Sequence, residues 1–366
     1  MKIKTITCHK VYNHGASLQE YALLKYLNNI GHDAETIDYT PDYLSNHFNL
    51  LAISNPKFGK NIFIKILYLL AKLPQRLPLL NKKKAFDFFE EKYIPSTRFN
   101  YKTNGELKQK LPDGDAYICG SDQIWNSFFQ NGKDPAFYLD FVPDEKLKIS
   151  YAASFAIDEI QNDLKPFVKE KVQRLDKVSV RESSGLKILS DLNIQNVTQV
   201  LDPVFLLDRK FWEETFVTPI LESYIFVYDC DSNVKIKEIV KATAKKFDLK
   251  IFTVNQNIQY CDKNFYKRGP ETFLSLIKSA KFIISNSFHA VAFSLIFNKI
   301  FFVVDRTENI NTRMRDIMDL VELTDLHLGV NEFKSFENVS IDFQNVNKII
   351  SGKIMQSKHF LKNSIK

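Results

Sequence analysis

Residues 2–39 read KIKTITCHKVYNHGASLQEYALLKYLNNIGHDAETIDY, and the fold class follows from them. The run 2–8 is apolar and β-branched at strand spacing, and residues 11–15 break it with Asn13 and Gly15 as a loop. From residue 16 to 30, Leu18, Tyr21, Ala22, Leu24 and Leu27 recur at helical spacing until Gly31 stops the helix. Residues 34–39 then supply a second strand. Strand, helix and strand in that order make a βαβ unit, which requires a parallel sheet.

The same alternation continues along the chain. Strands are expected at 116–119, 148–154, 177–181 and 198–201, with a helix to Leu192 that Ser183 or Ser184 would cap. Beyond a boundary at 203–210 come strands at 224–228, 250–254, 282–285 and 300–304. Helices are expected there at 234–247, 270–279, 290–297 and 313–321. The chain therefore divides into two α/β halves, 1–205 and 206–366. Residues 41–103 carry Phe, Leu and Lys at helical spacing without a strand signal and read as a helical insertion in the first domain. The polar, Lys-rich end after residue 328 shows no motif.

Bulk properties narrow the classes. The 366 residues are 45% hydrophobic and 25% charged, ordinary for a folded soluble protein too long for a single core. A net charge of +7 favours anionic partners, but no zinc finger, RNP-type motif or basic arm accompanies it, so nucleic acid is not expected as one. Cys8, Cys119, Cys230 and Cys261 are scattered, as reduced thiols are in a cytoplasm, and no metal-ligand spacing is present. Residues 1–10 lack the apolar core of a secretory signal, and the apolar stretch 62–73 is too short to span a bilayer. A cytoplasmic protein is expected. Residues 57–84 would either touch the inner face of the membrane peripherally or pack as an amphipathic helix on the domain.

Ligands of open parallel sheets sit beyond the carboxyl ends of the strands. Four loops there hold candidate chemistry and would open to one cleft: Asn13 to Gly15; Gly120, Ser121, Asp122, Gln123, Trp125 and Asn126; Arg181 with Glu182; and Ser285, Asn286, Ser287 and His289. His289 falls in the first turn of a helix that Ser287 would cap, where an anion is welcome and the imidazole pKa is tunable. The plainer alternative is a cap followed by an exposed histidine. Arg181 offers a fork for carboxylate or phosphate, or a salt bridge with Glu182. Arg313, two residues before Arg315, opens a helix, where a cation is explained either by an anion shared with the helix end or by surface solvation of the charge pair. The 120–126 loop suits sugar hydroxyls, or a cap. Neither a P-loop nor a dinucleotide fingerprint occurs.

Taken together these segments resemble the polysaccharide pyruvyltransferase family. The matching stretches are N-H-G-A-S-L-Q-E-Y-A-L (13–23), G-H-D-A-E-T-I-D-Y (31–39), G-S-D-Q-I-W-N (120–126), I-S-Y-A-A-S-F (149–155), V-S-V-R-E (178–182), L-D-P (201–203), S-N-S-F-H (285–289) and N-T-R (311–313). His14 stands where an aromatic is common and Ala290 where glycine is common; 41–103 and the end of the chain do not align. The resemblance implies a GT-B-like pair of Rossmann-like domains facing a cleft. It implies transfer of the enolpyruvyl group of phosphoenolpyruvate, as co-substrate and without a cofactor, to a sugar or lipid-linked oligosaccharide of a capsule or exopolysaccharide precursor. The product would be a cyclic pyruvate ketal. It marks His289 as catalytic and Arg181 and Arg313 as donor-anion ligands. Asp122 or Glu182 is expected to assist, with Asn13, Gly15, Ser285, Asn286 and Ser287 around the donor. Gly120, Ser121, Asp122, Gln123, Trp125 and Asn126 would meet the acceptor, with 41–103 on the acceptor side. A nucleotide-sugar glycosyltransferase and a non-catalytic carbohydrate-binding protein are the rival readings.

Overall fold

The protein is described here by a computed structural model covering residues 1–45, 61–308 and 310–366; positions 46–60 of the expected insertion lie outside the described residues. In the first half, β1 (Lys2–Ile6), α1 (His14–Asn29) and β2 (Asp33–Thr36) form the βαβ unit. The insertion contributes α2 (Asp42–Ser45) and α3 (Ile62–Tyr93), and α4 (Asn104–Gln109) follows. Then come β3 (Ala116–Cys119), β4 (Leu147–Ser150), α5 (Lys165–Gln173), β5 (Val178–Val180), α6 (Ser183–Asp191) and β6 (Val197–Gln199). The second half contains α7 (Arg209–Phe216), β7 (Tyr224–Tyr228), α8 (Val234–Phe247), β8 (Lys250–Thr253), β9 (Lys263–Asn264) and α9 (Pro270–Ser279). It ends with β10 (Phe282–Ser285), α10 (Phe288–Ile296), β11 (Phe301–Val304), α11 (Thr312–Leu320), β12 (His327–Leu328) and α12 (Phe343–Ser364).

Each half is built on a parallel sheet. The first runs β2-β1-β3-β4, and bridges from Ile149 to Lys177 and from Ala153 to Val180 carry it on to the β5-β6 pair. The second runs β12-β11-β10-β7-β8-β9. Strand order reverses between β1 and β3 in one sheet and between β7 and β10 in the other. Ligands gather at such switch points, so the loops after these strands lie where a substrate would bind.

α1 departs from the one-faced helix its spacing suggested. Ser17, Gln19 and Glu20 are buried along with Leu18, Tyr21 and Leu24, because the helix lies between the first sheet and the second half. Gln19 Nε2 donates to Thr7 Oγ1 at 3.0 Å while its Oε1 accepts from the Ser121 amide at 3.2 Å, tying the loop after β1 to the loop after β3. One apolar core runs through both halves: Leu18, Tyr21 and Tyr151 join Trp212, Phe216, Phe273 and Phe293.

Two expectations at helix ends need correction. Neither Ser183 nor Ser184 caps α6; Ser183 instead donates from Oγ to Asp316 at 2.7 Å, a bond to α11. The polar end of the chain, read as featureless, is the 22-residue helix α12, which buries Val346, Ile350 and Leu361. It returns to the first half, where Ser357 Oγ accepts from the Leu201 amide at 2.9 Å and Phe360 meets the Tyr151 ring. The 206–366 boundary therefore describes the strands of the second half but not this helix.

Candidate active site

The β5 run Val178–Val180 ends in Arg181, and the chain after β6 turns at Asp202-Pro203. Inside the fold, Arg181 Nη1 donates to Asp202 Oδ2 and also faces Ser121 Oγ at 3.5 Å. Ser121 Oγ lies 3.3 Å from the same carboxylate oxygen, and His289 Nε2 is 3.5 Å from it. Three of the four predicted loops thus meet on Asp202, and the fourth closes the group from the other side. A Cβ added to Gly15 would fall 2.1 Å from His289 Nδ1, so Gly15 is the residue against which the imidazole packs.

A second cation completes the centre. The Arg181 and Arg313 guanidinium groups lie 4.6 and 5.9 Å from the centroid of the Phe288 ring, and Asp122 Oδ1 is 3.9 Å from Arg181 Nη2 and 3.8 Å from Arg313 Nη1. Both arginines are buried. Burial, with Arg181 beside it, pulls Arg313 down to about 10. Burial alone would raise the Asp202 carboxyl, but His289 and then Arg181 outweigh it and hold Asp202 well below the usual carboxylate range. Glu182, whose Oε1 accepts from Ser154 Oγ and from the amides of Phe155 and Ala156, is pushed up by burial.

Several polar atoms here have no hydrogen-bond partner among the described residues: Nε and Nη2 of Arg181, Nε of Arg313, Nε2 of His289 and Oε2 of Glu182, which stands 3.8 Å from Arg181 Nε as a loose ion pair. Buried polar groups are normally bonded. Two forks with open donors, stacked on one ring beside an imidazole held by a carboxylate, suit a small acid carrying more than one anionic group. A cavity of about 390 Å³ at the start of α11 is lined by Asn311, Thr312 and Arg315 on one side and Asp158 and Glu159 on the other.

The remaining predicted residues do other work. Asn13 Oδ1 caps α1 by accepting from the amides of Gly15 and Ala16, so its side-chain oxygen is engaged at that helix end. Ser285 Oγ donates to the Tyr228 carbonyl and accepts from the Ser287 amide. Asn286 bonds Asp229, Asp231 and the Cys230 amide, which fixes the loop after β7 instead of facing a donor. Ser287 does not cap α10 through its side chain.

The 120–126 loop also differs from expectation. Trp125 is fully buried, stacks on Tyr138 at 5.3 Å and donates to the Phe137 carbonyl; Asn126 is equally buried and holds Gln123 and the Phe128 amide. Gly120, with φ +120°, lies where a Cβ would strike the Tyr151 carbonyl oxygen. Ser121 and Asp122 face Arg181, so the start of this loop belongs to the arginine pair, while Gln123 stays partly exposed. Sequence reasoning assigned no role to Asp202 or to Arg306, whose charge reaches Arg313. The L-D-P stretch held the first, but nothing local marks an acid before a proline as a partner for a distant histidine.

This architecture, two Rossmann-like domains with the charged groups at facing strand ends, is the GT-B type. UDP-GlcNAc 2-epimerase from Neisseria meningitidis is similar over 100% of this chain and 94% of its own, at 11% identity and a TM-score of 0.50. The epimerase from Methanocaldococcus jannaschii is similar over 97% and 93%, at 12% identity and a TM-score of 0.49. The E. coli heptosyltransferase WaaC is similar over 96% and 100%, at 10% identity and a TM-score of 0.41. No curated protein matches the chain in sequence. The chain belongs to the polysaccharide pyruvyl transferase family, whose model matches residues 13–308, a range that includes Gly15, Asp122, Arg181, Asp202 and His289 and stops short of Arg313.

Proposed function

We propose that the protein transfers the enolpyruvyl group of phosphoenolpyruvate to two hydroxyls of one sugar in a cell-surface polysaccharide precursor, giving a cyclic pyruvate ketal and inorganic phosphate. The observation that carries this reading is the pair of buried guanidinium groups on Phe288 next to the His289–Asp202 couple. Arg181 and Arg313 hold the donor's carboxylate and phosphate. A proton delivered to the methylene carbon makes C2 electrophilic, and the first sugar hydroxyl bonds to C2. The C2–O bond to phosphate breaks with its electron pair, and the second hydroxyl closes the ring. One hydroxyl proton replaces the one placed on carbon and the other leaves with phosphate, so the balance closes. His289, oriented by Asp202, carries these protons, a contribution of about 10²–10⁴ in rate.

Incubation with phosphoenolpyruvate or with nucleotide sugars, in the presence of surface-glycan fragments, tests the reading by ³¹P NMR. Phosphate release that depends on both donor and glycan is expected. Release of a nucleotide diphosphate instead would make the protein a glycosyltransferase, and binding without turnover would make it a carbohydrate-binding protein.

The acceptor would be met at an anionic membrane face in the cytoplasm. Ile62, Phe63, Ile66, Leu67, Leu70 and Leu77 are exposed on one side of α3. Residues 62–85 contain Lys65, Lys72, Arg76, Lys82, Lys83 and Lys84 and no acid. An apolar stripe flanked by cations lies on lipid more readily than it faces water. Among the described residues no helix is long and apolar enough to cross a membrane. Flotation with phosphatidylglycerol liposomes, lost in Phe63→Ser/Leu67→Ser, is the expected result; equal flotation of both proteins would remove this contact.

A further inference from the structure

A cavity of about 490 Å³ opens between the loop after β1 and the last turns of α3, outside the arginine centre. His9, Lys10 and Tyr12 line it from the loop, and Lys83, Asp87 and Glu90 from the helix. Its size is that of an ordinary small-ligand pocket.

Glu90 feels the charges of His9 and Lys10 but is bonded to neither. It is 5% exposed, yet neither carboxylate oxygen has a hydrogen-bond partner among the described residues. Buried carboxylates are normally bonded, since leaving one bare is costly. The nearby imidazole does not serve it, because His9 is already committed, 2.9 Å from Glu20 and 3.4 Å from Asp38. Burial accordingly pushes Glu90 up to about 7. At the rim, Asp87 accepts from Tyr12 Oη at 3.2 Å and pairs with Lys83 at 2.5 Å.

The balance of charge says what fits. Lys83 pairs with Asp87, while Lys10 and His9 pair behind the wall with Asp38 and Glu20, so each base is already matched and Glu90 and Glu91 are left as open acceptors. A small anion is better served by Arg181 and Arg313. An uncharged molecule rich in hydroxyls satisfies open acceptors and amines alike. The pocket is also tied to the reaction centre: Tyr12 stands three residues before Gly15, the residue packed on His289, and three residues span at most about 11 Å.

We propose that this pocket binds a neutral hexose unit of the acceptor glycan, with Glu90 as its buried hydrogen-bonding group. Calling that glycan the acceptor rests on the pyruvyl-transfer reading above, whereas sugar binding at Glu90 does not. Saturation-transfer NMR on the full chain, with the methyl glycosides of glucose, galactose, mannose and N-acetylglucosamine as probes, tests it. At least one glycoside should bind the wild type, Glu90→Gln should retain binding, and Glu90→Leu should weaken it about tenfold or more. Should Glu90→Leu not fold, Asp87→Ala at the rim takes its place with the same expectation. Absence of binding by all four probes, or unchanged binding in the folded variants, overturns the proposal. Phosphoenolpyruvate titrated in parallel separates the two readings. Glycoside binding that depends on Glu90 without donor binding would leave the pocket and sink the donor assignment. Donor binding without glycoside binding would do the reverse.

Discussion

At Gly15 the absence of a side chain decides where the His289 ring lies. An added methyl would sit 2.1 Å from Nδ1 and 2.2 Å from Cγ, so Gly15→Ala must push the imidazole off Asp202. A roughly hundredfold fall in kcat is expected, with the donor's affinity close to that of the wild type because Arg181 and Arg313 are untouched. Steady-state kinetics would read the split. Arg181→Lys acts the other way: a point charge cannot reproduce the fork, so the apparent affinity for phosphoenolpyruvate should drop at least about tenfold, and an unchanged value would remove Arg181 from donor binding.

His14, three bonds of backbone from that centre in sequence terms, does something different. It is fully buried, stacks on Phe273 at 5.4 Å and bonds Tyr228 Oη and the Arg268 carbonyl. Burial, helped by Lys82, pushes it well below its ordinary 6.5. The unfolded chain takes a proton there below about pH 6.5 while the folded one does not, so stability falls on acidification by up to about 1.4 kcal/mol per pH unit. His14→Phe deletes that proton site. The drop in melting temperature between about pH 7.5 and about pH 5.5 should be smaller in the variant, as differential scanning fluorimetry would record.

Among the elements, α12 is the instructive one. Val346, Ile350, Ser357 and Leu361 are buried at spacings of one, three and four turns, so the stripe was present in the sequence beneath a Lys-rich composition. Leu361→Ala should cost about 2–5 kcal/mol, seen as a lower urea midpoint, since the side chain is fully buried. By contrast, apolar runs such as 224–228 and 282–285 declared themselves as strands, because strands covered on both faces need unbroken hydrophobic sequence. Helix ends were harder to read. Ser183 and Ser287 have the right chemistry for caps, but one is drawn to Asp316 and the other leaves α10 uncapped by its side chain. The site divides along similar lines. His289, Arg181, Arg313 and Asp122 could be singled out because each follows a strand closely or starts a helix. Asp202 could not, because its partners come from residues 121, 181 and 289. Trp125 and Asn126 looked like ligands only while their neighbours Tyr138 and Gln123 were out of view.

For the molecule as a whole, one apolar core runs from α1 to α7, α9 and α10 across the boundary between the halves. Domains with interfaces of that kind are not expected to melt separately. Calorimetry should show one transition whose calorimetric and van't Hoff enthalpies agree; two resolved transitions would mean that the halves are energetically independent.

The return of α12 to Tyr151 and Leu201 has a consequence for synthesis. A ribosome that has released only the first half has made a sheet whose covering helix is still to be translated, more than a hundred residues downstream. Until that helix emerges, the nascent chain carries sticky aromatic surface for chaperones to shield, and a product of premature termination would carry the same mark for proteases.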